Sequence, residues 1–171
     1  NMNEIIANFK DKTILVTGAA GSIGSELCRQ LATFGVKQLI LFDSAETPMH
    51  NIRLELEERF PKMEFVPVIG DVRIAQRVNM VFERYKPQFI FHAAAYKHVP
   101  LMEENPCEAV LANVYGTQNV ADLAVRYNVE KMVMISTDKA VNPTNVMGAS
   151  KRLAEIYVQS LGMAIAKGEI E

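Results

Sequence analysis

The feature that most constrains this chain is a glycine-rich turn between a short apolar segment and an amphipathic segment. Residues 13–17 read Thr-Ile-Leu-Val-Thr, and glycines follow at intervals of three. A turn of this kind between a strand and a helix presents backbone N–H groups to a phosphate. Gly18 would allow the tight turn, Gly21 would leave room for phosphates, and Gly24 would let the helix approach the sheet. The residues predicted to bind the pyrophosphate of a dinucleotide are Gly18, Gly21, Ser22, Ile23 and Gly24.

Strand and helix patterns alternate along the chain. The strand patterns are short continuous apolar runs, which are typical of strands buried on both faces of a parallel sheet. Right-handed crossovers then predict a doubly wound, Rossmann-like α/β fold with strand order 3-2-1-4-5 and a ligand crevice between strands one and four. Gly35 is predicted to cap the first helix. The predicted strands are residues 12–17, 38–42, 65–69, 88–92 and 131–135, and the predicted helices are residues 22–34, 47–60, 73–85, 106–127 and 145–166.

Length and composition limit the other possibilities. At 171 residues the chain suits one dinucleotide-binding domain, which we place at residues 11–171 with residues 1–10 as a lead-in. A net charge of −2 and the lack of a basic tract argue against a nucleic-acid partner. Cys28 and Cys107 are too few and too far apart in sequence to predict a metal site or a disulfide. We expect a cytoplasmic chain, since no signal peptide and no run of about 20 apolar residues is visible.

A carboxylate closes the second predicted strand. Asp43 follows the last glycine of the turn by about 20 residues, where an acidic side chain can accept hydrogen bonds from the adenosine ribose hydroxyls. This carboxylate would repel a 2′-phosphate, and Ser44 and Ala45 bring no arginine to compensate. We therefore predict NAD as the cofactor, with NADP as the alternative. The other interpretation of Asp43 is a cap for the second helix.

Two more turns are predicted at the same edge of the sheet. Asp71 and Val72 follow the third strand, and the carboxylate could accept a hydrogen bond from the adenine amino group or cap the third helix. Ala93, Ala94 and Ala95 follow the fourth strand, and these small residues would let the backbone pass close to the cofactor. Tight packing is the alternative reason for the alanines.

Taken together, these motifs resemble the extended short-chain dehydrogenase/reductase superfamily. Besides the turns already described, the resemblance rests on Asn113 in helix four and on Ser136 and Thr137 after strand five. Two longer strings, residues 92–103 and 136–145, are similar to those of bacterial polysaccharide-biosynthesis nucleotide-sugar 4,6-dehydratases (the CapD, WbpM and PglF group). This resemblance covers nearly the whole chain.

The Tyr-x-x-x-Lys pair of the superfamily is replaced here by Met147 and Lys151. The spacing puts both residues on one face of the fifth helix, but a methionine cannot exchange a proton. In the membrane-anchored long members of the dehydratase group, methionine is the expected residue at this position. The resemblance therefore implies a parent with transmembrane segments and a catalytic domain on the cytoplasmic face of the membrane. Lys151 would bond the nicotinamide ribose, unless it is an ordinary solvated helix lysine.

The resemblance also implies a reaction, an internal redox elimination on a UDP-sugar such as UDP-N-acetylglucosamine. Hydride leaves sugar C4 for the nicotinamide, the C5 proton and the C6 hydroxyl leave as water, and the hydride returns at C6. Asp138 would protonate the departing hydroxyl. Lys139 would remove the C5 proton and would need a lowered pKa to do so. Thr137 would hold a water for the 4-hydroxyl proton. A surface Asp–Lys pair in a turn is the alternative.

Other candidates belong to the nicotinamide and substrate sides of the crevice. Ser136 would line the nicotinamide end. Tyr96, Lys97 and His98 should overhang the crevice after strand four and meet a sugar or diphosphate, or else be fixed by packing. Asn113 is placed with this group as a residue that supports the active-site backbone or a water, because asparagine is a poor helix former.

Three functions remain open at this stage. They are a 4,6-dehydratase, a nucleotide-sugar 4-epimerase that shares the C4 oxidation, and a non-catalytic NAD-binding scaffold, for which Met147 is the best argument. Members of the family continue beyond helix five into a region that grips the sugar nucleotide, so we expect this chain alone to turn over substrate poorly. Helices four and five could pair with a second subunit to form a homo-oligomer.

Overall fold

Strands and helices alternate in the computed structural model, which describes residues 7–93 and 106–135, with the backbone alone for residues 106–113. The elements in chain order are β1 (Thr13–Thr17), α1 (Ser22–Ala32), β2 (Gln38–Asp43), α2 (Glu46–Arg59), β3 (Glu64–Ile69), α3 (Ala75–Tyr85), β4 (Phe89–His92), α4 (Pro106–Arg126) and β5 (Lys131–Met134). The fifth predicted helix lies outside the described residues.

The five strands form one parallel sheet in the order β3-β2-β1-β4-β5, as predicted. Leu15 at the centre of β1 pairs with Ile40 of β2 on one side and with Ile90 of β4 on the other. The strand order reverses between β1 and β4, and ligands of such sheets bind beyond the carboxyl ends of the strands at this point. The predicted crevice position is therefore the one that the topology creates.

The burial of the strands explains why continuous apolar runs predict them. Every residue of β1 and β4 is buried, whereas β3 and β5 at the two edges carry exposed positions. A helical turn at residues 7–9 adds to the core from outside the sheet. Its Phe9 is fully buried, and its ring lies 5.3 Å from that of Phe89 and 5.7 Å from that of Phe91. The packed core thus includes residues that precede β1.

Several predicted boundaries were wrong by one to two residues. The first helix ends at Ala32 with Thr33 as its C-cap, and Gly35 follows in the turn with a φ of +72° instead of capping the helix. The third helix begins at Ala75 instead of Arg73, because Asp71 holds Arg73 in a turn. The contact between Asp71 and Arg73, which apolar periodicity does not report, accounts for the later start of the third helix.

A buried histidine joins the central strands to α4. His92 is 4% exposed, and its Nδ1 lies 2.6 Å from the Oγ1 of Thr17 at the end of β1. Its Nε2 lies 3.1 Å from the Oγ1 of Thr117 on α4. Burial lowers the pKa of His92 to about 4, so the ring is neutral at pH 7. Because both ring nitrogens have hydroxyl partners, the polar ring is tolerated in the core.

The glycine-rich turn is fixed by a close approach between two of its own residues. A Cβ built on Gly24 would overlap the carbonyl oxygen of Gly18, so the first turn of α1 can lie against the loop only when residue 24 has no side chain. A Cβ on Gly21 would lie 3.4 Å from the same oxygen, which is an ordinary contact. Packing within the fold thus requires Gly24 but not Gly21.

Replacing these two glycines should show which of them the packing of the fold requires. We expect Gly24→Ala to lower the free energy of unfolding by at least about 2 kcal/mol, because the new methyl meets backbone that cannot move away. Gly21→Ala is the matched control and should cost at most about 1 kcal/mol, the usual difference between these residues at an N-cap. Urea unfolding of the ligand-free variants measures both. Equal losses would contradict this account of the turn.

His92 should make stability depend on pH. In the unfolded chain the imidazole binds a proton below about pH 6.5, whereas in the fold it does so only below about 4. The free energy of unfolding should therefore fall by about 3 kcal/mol as the pH drops from about 6.5 to about 4. Urea unfolding across this range should show a shallower fall for His92→Asn. His50→Asn, which removes an exposed imidazole on α2, is the control. Parallel curves for wild type and His92→Asn would contradict the assignment.

Candidate functional site

The glycine-rich turn leaves the amino end of α1 open. Gly18 has a φ of +68°, a conformation that glycine adopts without strain, and its carbonyl accepts a hydrogen bond of 3.1 Å from the Gly21 N–H. Gly21 is the N-cap of α1 and has no side chain to bond the first N–H groups. The first turn continues with Ser22 and the half-buried Ile23, which are uncharged. The partial positive charge of this helix end is therefore available to an anion.

Asp43 fastens this turn to the end of β2. The Ala20 N–H donates to Asp43 Oδ2 at 3.0 Å, and the Ala45 N–H donates to Asp43 Oδ1 at 2.9 Å. The N-cap of α2 is Ala45, so the interpretation of Asp43 as the cap of the second helix was wrong. Each carboxylate oxygen has a second lone pair and can still accept a bond from a ribose hydroxyl.

Asp71 is paired with Arg73, two residues further along the chain. The Arg73 guanidinium donates to both carboxylate oxygens at 2.6–3.0 Å, and the Arg73 N–H donates to Oδ1 at 2.9 Å. Hydrogen bonds from Arg73 hold the pKa of the Asp71 carboxyl below its usual value. The N-cap of α3 is Ile74, so Asp71 does not cap the third helix. Its charged form is ready to accept a further hydrogen bond from an amino group.

Backbone hydrogen bonds connect these turns along one edge of the sheet. The Gly70 N–H donates to the carbonyl of Asp43 at 3.0 Å, and the Ala19 N–H donates to the carbonyl of Phe42 at 3.2 Å. The turns after β1, β2 and β3 thus lie side by side. The structure brings together the predicted residues of the glycine-rich turn with Asp43, and places Asp71 on the turn adjoining Asp43.

Ala93 is the predicted residue of the alanine-rich turn that the structure describes. Its N–H donates to the carbonyl of Thr17 at 3.0 Å, and its half-buried side chain packs against the core. This contact agrees with the packing interpretation of position 93, and the close approach of the cofactor to Ala93 stays a prediction. The remaining predicted site residues lie outside the described residues or, for Asn113, have no described side chain; they are Ala94, Ala95, Tyr96, Lys97, His98, Asn113, Ser136, Thr137, Asp138, Lys139, Met147 and Lys151.

Sequence reasoning missed three contributors to this edge. Ala20 contributes its backbone N–H, and a backbone hydrogen bond cannot be predicted from the residue type. Arg73 could have been found, because an arginine two residues after an aspartate in a turn can fold back on it. The partner of His92, Thr117, lies 25 residues away in the sequence and needed the topology to be known first.

The arrangement fits a dinucleotide. The open end of α1 suits a diphosphate, and the carboxylate of Asp43 beside it suits two vicinal hydroxyls. Among the residues described, no cluster of His, Cys, Asp or Glu could hold a metal ion. The helices in residues 7–93 and 106–135 include none long and apolar enough to cross a bilayer.

Solved structures of similar fold include an enzyme in complex with NAD⁺. Pen from Bacillus thuringiensis is 38% identical, with a TM-score of 0.64 over 86% of this chain and 44% of that one. The Bordetella bronchiseptica enzyme WbmH, solved in complex with NAD⁺, is 26% identical, with a TM-score of 0.56 over 86% of this chain and 52% of that one. The doubly wound fold is confirmed by both.

Curated relatives point to polysaccharide biosynthesis. The capsular polysaccharide biosynthesis protein CapD of Staphylococcus aureus is 52% identical over 162 residues, which are 94% of this chain and 27% of CapD. A UDP-glucose 4-epimerase of Rickettsia rickettsii is 37% identical over 166 residues, 95% of this chain and 45% of the epimerase. The chain thus spans between a quarter and a half of these relatives. The family described as polysaccharide biosynthesis protein matches residues 14–170, and the chain belongs to that family, as the resemblance predicted.

Proposed function

We propose that this chain binds NAD and forms the cofactor-binding part of a nucleotide-sugar 4,6-dehydratase that acts on UDP-N-acetylglucosamine in bacterial polysaccharide biosynthesis. The observation that carries the proposal is the hydrogen bond from the Ala20 N–H to Asp43, which joins the predicted phosphate-binding turn to the predicted ribose acceptor. The NAD⁺ complex of WbmH and the identity with CapD support the cofactor and the pathway class.

In this proposal the described residues bind the adenosine half of NAD. The amino end of α1 would hold the pyrophosphate through the N–H groups of its first turn. Asp43 would accept hydrogen bonds from the ribose hydroxyls, and its negative charge disfavours the 2′-phosphate of NADP. Asp71 would accept a hydrogen bond from the adenine amino group, and Arg73 keeps that carboxylate charged and oriented.

The reaction would take place at the carboxyl end of β5. NAD, when bound, supplies the hydride acceptor for C4 and returns the hydride at C6. In this proposal Asp138 protonates the departing C6 hydroxyl, Lys139 takes the C5 proton, and Thr137 orients a water at the 4-hydroxyl. C5 regains a proton from solvent when the hydride adds at C6. The other predicted residues, proposed for the nicotinamide and sugar ends, are Ala94, Ala95, Tyr96, Lys97, His98, Asn113, Ser136, Met147 and Lys151.

The proposal extends to the location of the reaction. The dehydratase group that the chain resembles includes membrane-anchored members. We therefore propose a catalytic domain on the cytoplasmic face of the membrane, where UDP-sugars would be its substrates.

A second candidate is a nucleotide-sugar 4-epimerase. The identity with the Rickettsia rickettsii UDP-glucose 4-epimerase favours it, since both reactions begin with oxidation at C4. An epimerase has no use for an acid and a base at C6 and C5, which are the roles proposed for Asp138 and Lys139. The two candidates therefore differ in the fate of the C5 proton.

Asp43 should control both the affinity for NAD and its preference over NADP. We expect Asp43→Ala to weaken NAD binding more than tenfold, because it removes the ribose acceptor and releases the Ala20 N–H. Asp43→Asn keeps one acceptor oxygen and removes the charge. It should therefore lower the ratio of the affinity for NAD to the affinity for NADP. Titration calorimetry with both cofactors measures this. Glu46→Gln, an exposed acid nearby in sequence, is the control. Unchanged binding in both Asp43 variants would contradict the assignment.

Deuterated solvent should distinguish elimination from epimerisation. The longest natural protein that carries this sequence, given UDP-N-acetylglucosamine in D₂O, should yield a 4-keto-6-deoxy product with deuterium at C5. Asp138→Asn and Lys139→Ala should each lower this rate at least about a hundredfold, the usual contribution of an acid or base. Mass spectrometry and NMR of the product give the readout. A 4-epimer without C5 label would favour the epimerase, and unchanged rates would remove both residues from the mechanism.

A further inference from the structure

Helix α4 contacts the turn after β3 through a side-chain amide. The Nδ2 of Asn119 donates to the carbonyl oxygen of Val72 at 2.9 Å, although the two residues are 47 positions apart. Both residues are half-buried. An amide in this setting fixes the orientation of the peptide group that it bonds.

The same helix also receives the side chain of Val72. Gly116 is buried one turn before Asn119, and a Cβ built on it would lie 2.7 Å from Val72 Cγ2. The missing side chain at position 116 therefore lets Val72 sit close against α4. Gly116 and Asn119, three residues apart on one helix face, form a saddle for Val72.

The peptide between Val72 and Arg73 is held at both of its polar ends. Asn119 bonds its carbonyl, and the carboxylate of Asp71 accepts its N–H at 2.9 Å. Fixing this peptide plane also fixes the neighbouring Asp71 carboxylate, to which the Arg73 guanidinium donates as well. The hydrogen-bonding groups of the turn are thus aligned by a helix that lies outside it.

We propose that Gly116 and Asn119 are positioning residues that set the selectivity of this turn for adenine. The inference rests on the proposed binding of NAD. Adenine offers an amino donor beside a ring-nitrogen acceptor, whereas hypoxanthine offers an oxygen beside an N–H. The Asp71 carboxylate, held in a fixed position, accepts a hydrogen bond from the amino group of adenine and repels the oxygen that hypoxanthine has at the same place. When the saddle is lost, the turn can relax and the discrimination falls.

Asn119→Asp tests this with little change of shape. The aspartate cannot donate to Val72 and repels its carbonyl, so we expect NAD to bind about three- to tenfold more weakly. Wild type should bind nicotinamide hypoxanthine dinucleotide more weakly than NAD. The affinity for this analogue should be the same in Asn119→Asp as in wild type. The ratio of the affinity for NAD to the affinity for the hypoxanthine analogue should then fall toward one. Gln118→Glu makes the same chemical change at an exposed neighbouring position and should leave both affinities at wild-type values.

A single variant and a double variant that restores the lost space test the saddle independently of Asn119. Gly116→Ala should lower the preference for NAD over the hypoxanthine analogue, because the new methyl displaces Val72. Adding Val72→Ala makes room for that methyl and keeps the backbone groups, so the double variant should recover the preference. Calorimetry on this chain with both dinucleotides gives the readout for every variant.

The outcomes separate the inference from the proposed function. If wild type binds neither dinucleotide, the proposed NAD site fails and this inference fails with it. If wild type prefers NAD but Asn119→Asp keeps that preference, the positioning role alone is overturned. Equal weakening of both ligands would also overturn it, since that is the effect of a merely structural residue.

Discussion

The structure depends on the approach of Gly24 to the carbonyl of Gly18. Residue 24 has no room for a Cβ, and this closeness brings the first turn of α1 directly over the end of β1. The sheet order reverses beside that strand, so the amino end of α1 lies at the position where ligands of such sheets bind. A side chain at position 24 would move α1 away from the loop. The most favourable position for an anion, at the amino end of this helix, would move with it.

Asp43 has two structural partners and one proposed ligand. Its oxygens accept the N–H groups of Ala20 and Ala45, so the carboxylate joins the glycine-rich turn to the beginning of α2. A carboxylate in this position is already desolvated on one side and oriented by the fold. The Asp43 carboxylate would therefore be ordered before a ribose binds, and its side chain would lose less conformational freedom on binding.

The sheet order could be predicted because parallel strands need continuous apolar runs, and β1 and β4 are fully buried. The glycine-rich turn was predictable because local geometry requires two of its glycines: Gly18 has a positive φ, and Gly24 lies against the carbonyl of Gly18. By contrast, the pairing of Asp71 with Arg73 changed a helix boundary that periodicity had placed too early. The bonds of Ala20 and Thr117 depend on residues distant in sequence, so no local pattern could report them. The acid, base and methionine near β5 stay predictions of the resemblance.

Helix α4 connects the two halves of the proposed site. Thr117 bonds His92 at the end of β4, and Asn119 bonds Val72 after β3. These two residues are about 3 Å apart along one rigid helix axis, so the end of β4 and the turn after β3 cannot move independently. A reaction that takes a hydride from its substrate and returns it requires a cofactor that stays in place between the two steps. A frame that fastens both strand ends to one helix is suited to holding it there.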